Sequence, residues 1–266
     1  MSDLHIRRRG QRAAGKRPVV LLHGWSCHGG FMAPQLAALG RETLVLAPDL
    51  PGHGESRSLR PFTIEAAADA VMARIEAEGL DEVVLHGWSM GALVAWSLIE
   101  RHGTDRLAAL VVEDMSPKVL NGPDWDLGTL SDLDARRNAV FLRALEKQWP
   151  ALVRPTALKT FAADLDPASP LIRHAEEEMR KADPAALAAM WASLTAQDFR
   201  ALMPAIDIPV VLAPGGKSQL YDSRAARWQQ SHLPRARIVP FSRSGHAPHL
   251  EEAEAFNTLL SGLATR

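Results

Sequence analysis

Ser89 has the surroundings of a reactive serine, because Gly87 and Gly91 lie two positions before and after it. The apolar run at 83–86 predicts a short buried strand, and the breaker-free run at 92–99 predicts a helix. A serine at a sharp turn between strand and helix stands clear of the sheet, next to helix N-terminal amides that favour negative charge. A Cβ at either glycine would clash in so tight a turn. We therefore predict a nucleophile elbow, and not a chance match in a loop.

The composition limits the class of protein. A chain of 266 residues with 47% hydrophobic content can bury one sizeable core. The formal net charge of −1 lacks the basic excess of a nucleic-acid-binding protein. The single cysteine, Cys27, excludes an intrachain disulfide and is expected to be a small buried filler. No run of about 18 apolar residues exists, and the basic cluster at 7–9 precedes no apolar stretch. We expect a cytoplasmic protein without a membrane span.

Apolar runs alternate with helical patterns along the chain, which predicts a mostly parallel central sheet flanked by helices. Buried strands are predicted at 18–22, 43–47, 83–86, 107–112, 208–213 and 237–241, with a weaker edge strand at 4–8. Helices are predicted at 63–77, where Thr63 is a plausible N-cap, and at 223–230. The expected architecture is an α/β sandwich of helices around one sheet.

The sheet pattern stops for about ninety residues in the middle of the chain. Residues 118–200 are helix-like, with several tryptophans and prolines. An insertion of this size between strands is typical of a helical lid. The predicted organisation is therefore a core of residues 1–117 and 201–266 with a lid at 118–200.

Four motifs spread over the chain belong together. They are His23-Gly24 after one strand, Asp49-x-x-Gly52-x-Gly54-x-Ser56 after the next, the elbow, and Gly245-His246 near the C-terminus. With them the chain resembles the α/β-hydrolase superfamily, and its elbow serine resembles that of the serine carboxylesterases. The resemblance implies an α/β-hydrolase fold with a helical lid inserted after the sixth strand. Asp49 and His53 are expected to brace their turn and not to react.

The resemblance also implies roles for the residues around Ser89. His246 becomes the candidate general base, which takes the serine proton and later protonates the leaving alkoxide. His249 is the weaker competitor for this role. The backbone N–H groups of Trp25 and Met90 are expected to form the oxyanion hole, unless Trp25 is an ordinary loop residue.

The sequence offers three candidates for the acid of the predicted triad. Many α/β-hydrolases carry it in a turn where this chain has Ser218, which is no carboxylate. Asp222 and Asp114 are the alternatives, with Glu113 third because neighbouring residues at a strand end face opposite ways. Residues 114–117 match the Asp-x-Ser-Pro turn of a subset that includes small bacterial esterases. We assign Asp114.

A serine at the elbow indicates acyl transfer from an ester or thioester through an acyl-enzyme. Epoxide hydrolases and dehalogenases of this fold need an aspartate there. Trp25, the Gly-Trp-Ser-Met-Gly elbow and the chain length resemble the bacterial carboxylesterases that demethylate pimeloyl-acyl-carrier-protein methyl ester in biotin synthesis. The resemblance implies a small-molecule or acyl-carrier-linked ester as substrate.

A basic stretch within the predicted lid favours an acidic partner. Between 136 and 159 its members are Arg136, Arg137, Arg143, Lys147, Arg154 and Lys159, against one acid, Glu146. Arg137 and Arg143 are candidate binding residues for an acidic carrier protein. A merely solvated helix face is the alternative, because three glutamates at 176–178 restore the charge balance.

Other functions remain open from the sequence. A C–C bond hydrolase or elimination enzyme of this fold would use Ser89 and His246 without a lasting acyl-enzyme, and a binding protein would use neither. The histidines and Cys27 offer no metal-ligand spacing, so neither metal nor other cofactor is predicted. Gly216-Lys217-Ser218 lacks the upstream glycine of a phosphate-binding loop. A monomer is expected.

Overall fold

A single seven-stranded sheet organises the protein, and the computed structural model describes residues 4–265. The strands are β1 (Ile6–Arg9), β2 (Val19–Leu22), β3 (Val45–Pro48), β4 (Val83–Trp88), β5 (Leu107–Glu113), β6 (Val210–Ala213) and β7 (Ala236–Ile238). Their order across the sheet is β1-β3-β2-β4-β5-β6-β7, with β1 antiparallel to β3 and every other pair parallel. The predicted α/β-hydrolase architecture is confirmed.

Helices connect the strands and cover both faces of the sheet. They are α1 (Ala33–Leu39), α2 (Ile64–Ala77), α3 (Met90–His102), α4 (Ala135–Thr160), α5 (Pro170–Met179), α6 (Pro184–Thr195), α7 (Ser223–His232), α8 (Pro248–Glu251) and α9 (Ala253–Ala264). Thr63 caps α2 as predicted, since its hydroxyl accepts a hydrogen bond from the N–H of Ala66. Within residues 4–265, no helix combines the length and apolar character needed to cross a bilayer.

The inner strands are buried on both faces, which explains why they read as continuous apolar runs. Every residue of β2, β3, β4 and β6 is buried, whereas the edge strands β1 and β7 are partly exposed. The arginines at 7–9 keep the β1 edge charged, a feature that discourages pairing with another chain. Because β2, β4 and β5 are neighbouring parallel strands, their C-terminal ends lie at the same edge of the sheet.

The helical insertion lies between β5 and β6. We expected the insertion after the sixth strand. Five strands precede it in the described part of the chain, so it follows the fifth strand. The difference arises at the N-terminal end, where only β1 precedes β2. The residues between those two strands form a turn, and Lys16 makes an isolated bridge with Thr265 instead of extending a second strand.

The final strand is shorter than predicted. β7 ends at Ile238, and the predicted continuation to residue 241 is wrong. Pro240 has no N–H to offer a sheet ladder, and Phe241 makes only an isolated bridge with Gly215. After Ile238 the chain leaves the sheet and continues into the loop that carries His246.

Candidate active site

Ser89 lies at a strained turn between β4 and α3. Its backbone has φ 54° and ψ −120°, a conformation that non-glycine residues rarely adopt. A Cβ on Gly87 would lie 2.5 Å from the backbone of Gly91 and Ala92, and a Cβ on Gly91 would lie 2.3 Å from the carbonyl oxygen of Leu22. Both glycines are thus required by close backbone contacts, with β2 providing the contact at Gly91.

His246 and Asp114 form a buried pair beside this turn. The Nδ1 N–H of His246 donates to Oδ2 of Asp114 at 2.6 Å, and each residue is 4% exposed. The N–H of Gly215 donates to Oδ1 of Asp114 at 3.0 Å, and the Ser218 hydroxyl donates to Oδ2 at 2.6 Å. With Nδ1 as the donor, Nε2 of His246 is left as the proton acceptor.

Hydrogen bonds to backbone groups of Gly245 and His246 hold the loop around His246 in place. The N–H of His246 donates to the carbonyl of Thr160 at 3.0 Å, and the indole N–H of Trp88 donates to the carbonyl of His246 at 2.6 Å. The Glu251 carboxylate accepts from the N–H of Gly245 at 2.8 Å. These contacts tie the histidine to the elbow strand and to the end of α4.

A cavity of about 300 Å³ brings the predicted residues together. Ser89, His246, Trp25 and Met90 all line it. In the described structure Ser89 and His246 make no direct hydrogen bond, and such contacts often tighten only when substrate is bound. The rest of the wall is mainly apolar, and its largest members from α4 and α6 are Phe141, Leu152, Trp191 and Leu194.

The two predicted oxyanion donors belong to segments that lie next to Ser89. Met90 is the first residue of α3, so its N–H has no acceptor within the helix. Trp25 follows Gly24, and a Cβ built on Gly24 would lie 3.4 Å from the Cβ of Ser89. The turn after β2 therefore packs directly against the serine.

Comparison with known proteins adds the evolutionary context of this site. The model of the alpha/beta hydrolase family matches residues 19–259. The chain belongs to the α/β-hydrolase family. It is 31% identical over 243 residues to the pimeloyl-[acyl-carrier protein] methyl ester esterase of Neisseria meningitidis, with 91% of each chain covered. It is 28% identical over 266 residues to the protein of the same name from Nitrosomonas europaea, covering 99% of this chain and 100% of the other.

Solved structures agree on the fold of this α/β-hydrolase. An esterase from Exiguobacterium antarcticum superposes with a TM-score of 0.88 at 22% identity, covering 98% of this chain and 95% of the other. An enol-lactonase from Burkholderia xenovorans gives a TM-score of 0.83 at 24% identity, with 98% and 95% covered. Together with the named relatives, the family match confirms the prediction of a carboxylic ester hydrolase.

The other two candidate acids of this α/β-hydrolase are engaged elsewhere. Asp222 caps α7, where it accepts from the N–H of Arg224 at 2.8 Å and pairs with the guanidinium of that residue. The backbone hydrogen bond from Arg224 lowers the pKa of Asp222. Glu113 points away from the cavity and accepts from the Nδ1 of His249 at 2.8 Å and the Nε2 of His86 at 2.7 Å. Of the three carboxylates, Asp114 is the one paired with His246.

The buried cluster around Glu113 also accounts for the competitor histidine. Burial alone would raise the pKa of Glu113, but the charge and hydrogen bonds of His249 and the hydrogen bond of His86 lower it to about 2. His249 is fully buried and does not line the cavity. We therefore retain His246 and not His249 as the candidate base.

The predicted binding arginines lie on the surface and not in the cavity. Arg137 donates to the carbonyls of Ser131 and Asp132 and lines a surface groove with Asp134, Arg136 and Val140. Arg143 is exposed on α4. Contact with a substrate through these arginines would therefore involve a group outside the cavity.

Several site residues escaped the sequence analysis. Trp88, Tyr221 and Glu251 surround His246, and the ring centroid of Tyr221 is 5.7 Å from that of His246. Burial, followed by the charge of Asp114, raises the pKa of Tyr221. Trp88 lies within the elbow motif, and Glu251 lies in the segment after His246. Their closeness in sequence to Ser89 and His246 could have indicated that they belong to the site. Tyr221 had none.

Proposed function

We propose that this protein is a serine carboxylesterase in which Ser89 is the nucleophile, His246 the general base and Asp114 the residue that orients it. The observation that carries the proposal is the buried pair of Asp114 and His246 at 2.6 Å, which opens onto the cavity lined by the strained Ser89. A strained serine beside a carboxylate-oriented imidazole has the arrangement that acyl transfer requires.

The reaction follows from the positions of these groups. Nε2 of His246 takes the hydroxyl proton of Ser89 as the oxygen attacks the ester carbonyl carbon. The N–H groups of Trp25 and Met90 donate to the tetrahedral oxyanion. The imidazolium then protonates the departing alkoxide, which leaves as an alcohol, and the acyl group remains on Ser89. A water molecule repeats the sequence and releases the carboxylic acid.

The helical segment 118–200 acts in this proposal as a lid over the core of residues 1–117 and 201–266. Helices α4 and α6 supply a substantial part of the apolar wall of the cavity, including Phe141 and Trp191. Apolar walls with a few polar groups are typical of sites that enclose an acyl chain and exclude water from the reacting ester. The lid therefore selects the acyl part of the substrate.

The proposed substrate is the methyl ester of a pimeloyl group carried by acyl-carrier protein. The relatives named above support it, as they carry that substrate in their names. The cavity of about 300 Å³ holds an acyl chain of moderate length and not a whole carrier protein. The carrier must then dock outside, as a partner of a monomeric enzyme.

The surface at the start of α4 suits such an acidic carrier. Leu130 and Val140 are 47% and 55% exposed, and they are the large hydrophobic residues that stand out on the described surface. Arg136, Arg137 and Arg143 are exposed near them along the chain. This segment also holds the exposed Asp132 and Asp134, but its apolar side chains and three arginines suit a partner that presents acidic groups beside an apolar contact.

Labelling with a fluorophosphonate tests the chemical proposal. We expect intact mass measurement to find one adduct, peptide mapping to place it on Ser89, and the Ser89→Ala variant to remain unlabelled. A C–C bond hydrolase or elimination enzyme that forms no acyl-enzyme would turn over without such an adduct. An unlabelled wild-type protein that hydrolyses no p-nitrophenyl ester would refute the esterase assignment.

Charge reversal on α4 tests the carrier surface. We expect the double variant Arg137→Glu with Arg143→Glu to raise KM for a carrier-linked methyl ester about tenfold or more, since like charges then face each other. The KM for the methyl ester of a free acid should stay unchanged. The matched control reverses two other exposed arginines, Arg41→Glu with Arg237→Glu, with the same change in net charge. Equal increases in KM for the two double variants would refute the proposed docking surface without affecting the esterase assignment.

A further inference from the structure

The indole of Trp25 joins the turn after β2 to the lid helices. Its Nε1 N–H donates to the carbonyl of Leu187 in α6 at 3.0 Å. Its ring centroid lies 4.7 Å from that of Trp191 in α6 and 5.3 Å from that of Trp149 in α4, both in edge-on arrangements. Trp25 is 9% exposed. Two helices of the insertion therefore meet on one side chain of the core.

The backbone of the same residue belongs to a tight turn against Ser89. Ser26, the next residue, has φ 61°, and the N–H of Cys27 donates to the carbonyl of Gly24 at 3.2 Å. A turn closed in this way has little freedom to absorb a rotation of one of its residues. A displacement of the indole ring therefore also displaces the backbone N–H of Trp25.

The aromatic surface that contacts Trp25 is also the surface that an acyl chain would touch. Trp25, Phe141 and Trp191 all line the cavity, and the ring centroids of Phe141 and Trp191 are 4.9 Å apart. An acyl chain long enough to reach these rings would press on the lid side of Trp25. An acetyl group attached at Ser89 is shorter and fills less of this cavity, so it presses less on the rings.

We infer that Trp25 is a positioning and specificity-determining residue, whose side chain couples occupation of the acyl cavity by a medium-length chain to the alignment of its own oxyanion N–H. This inference rests on the proposed function. In energetic terms, contact between the acyl chain and the rings of the lid is used to hold the oxyanion donor, so it raises kcat and not only affinity.

The test compares kcat for p-nitrophenyl hexanoate and p-nitrophenyl acetate. In the wild-type enzyme we expect the hexanoate to have the higher kcat, by about tenfold. Trp25→Phe keeps an aromatic ring but removes the N–H that binds Leu187. It should reduce the ratio of the two kcat values to about 1, with the loss falling on the hexanoate.

Trp125→Phe is the matched control. Trp125 belongs to the helical insertion and, like Trp25, is buried and donates its Nε1 N–H to a backbone carbonyl, that of Lys118, at 3.0 Å. It does not line the cavity. This variant should keep the wild-type ratio of kcat values, even if it lowers the melting temperature as much as Trp25→Phe does.

The outcomes separate this inference from the function on which it rests. A wild-type ratio near 1, or a Trp25→Phe variant that keeps the wild-type ratio, overturns the coupling while the esterase survives. Wild-type protein without hydrolysis of either ester and without an adduct on Ser89 overturns the function itself. If circular dichroism shows that Trp25→Phe does not fold, Trp191→Leu decides, because it removes the ring on the lid side of the contact and should reduce the ratio likewise.

Discussion

Replacing Asp114 by asparagine is expected to lower the turnover of an ester by about 10⁴-fold while the protein stays folded. The carboxylate now accepts the Nδ1 N–H of His246 at 2.6 Å. An asparagine amide that presents its NH₂ group to the ring would shift the proton to Nε2, which could then no longer accept the proton of Ser89. The measurement is kcat on a p-nitrophenyl ester, with urea denaturation as the check on folding.

Asp222→Asn is the control for this experiment. Asparagine is also a good N-cap, so the variant keeps the start of α7 and loses only an exposed ion pair with Arg224. Its kcat should remain within about twofold of the wild type. A loss of about 10⁴-fold in Asp222→Asn, with near-normal turnover in Asp114→Asn, would show that the acid has been assigned to the wrong residue.

The choice among the acids shows where sequence reasoning is strong and where it stops. The elbow could be predicted because its causes are local: a strand, two glycines and a helix within seventeen residues. The pairing of Asp114 with His246 joins residues 132 positions apart. It depends on β5 lying beside β6, where Glu113 is in register with Ala213 and the following residues meet Gly215. The sequence motif at 114–117 indicated the acid, but no local pattern predicts that β5 and β6 are neighbours in the sheet.

The same limit explains the contacts that were missed around the cavity. The hydrogen bond of Trp25 to Leu187 and that of His246 to Thr160 each connect the core with the helical insertion. Helix periodicity predicts that α4 and α6 have buried faces, but it does not tell which core residue each face meets.

Exchanging the residues at positions 114 and 218 is expected to recover much of the activity that the loss of Asp114 removes. Asp114→Ser alone should lose about 10⁴-fold in kcat. Combined with Ser218→Asp, it should regain about 100-fold, because the carboxylate returns with its geometry displaced, and a displacement of about 1 Å costs about 100-fold. The kcat of the single and double variants on one p-nitrophenyl ester gives the comparison.

The geometry around Ser218 is the reason to expect this recovery. Its hydroxyl oxygen lies 2.6 Å from the Asp114 oxygen that binds His246, so the two side chains converge on one point from the turns that follow the neighbouring strands β5 and β6. The N–H groups of Leu220 and Tyr221 both donate to that hydroxyl at 3.2 Å, and they would orient a carboxylate in its place.

The control for the exchange is Asp114→Ser with Lys217→Asp. It adds a carboxylate one residue away, where the native side chain is exposed and paired with Asp164. Because a charge at that place has no path to Nδ1 of His246, this variant should stay as slow as Asp114→Ser alone. Equal recovery by both double variants would mean that the site responds to negative charge in general and not to an oriented hydrogen bond. No recovery in either would mean that the turn at 218 cannot deliver a carboxylate to His246, and that a strand-end acid is required in this chain.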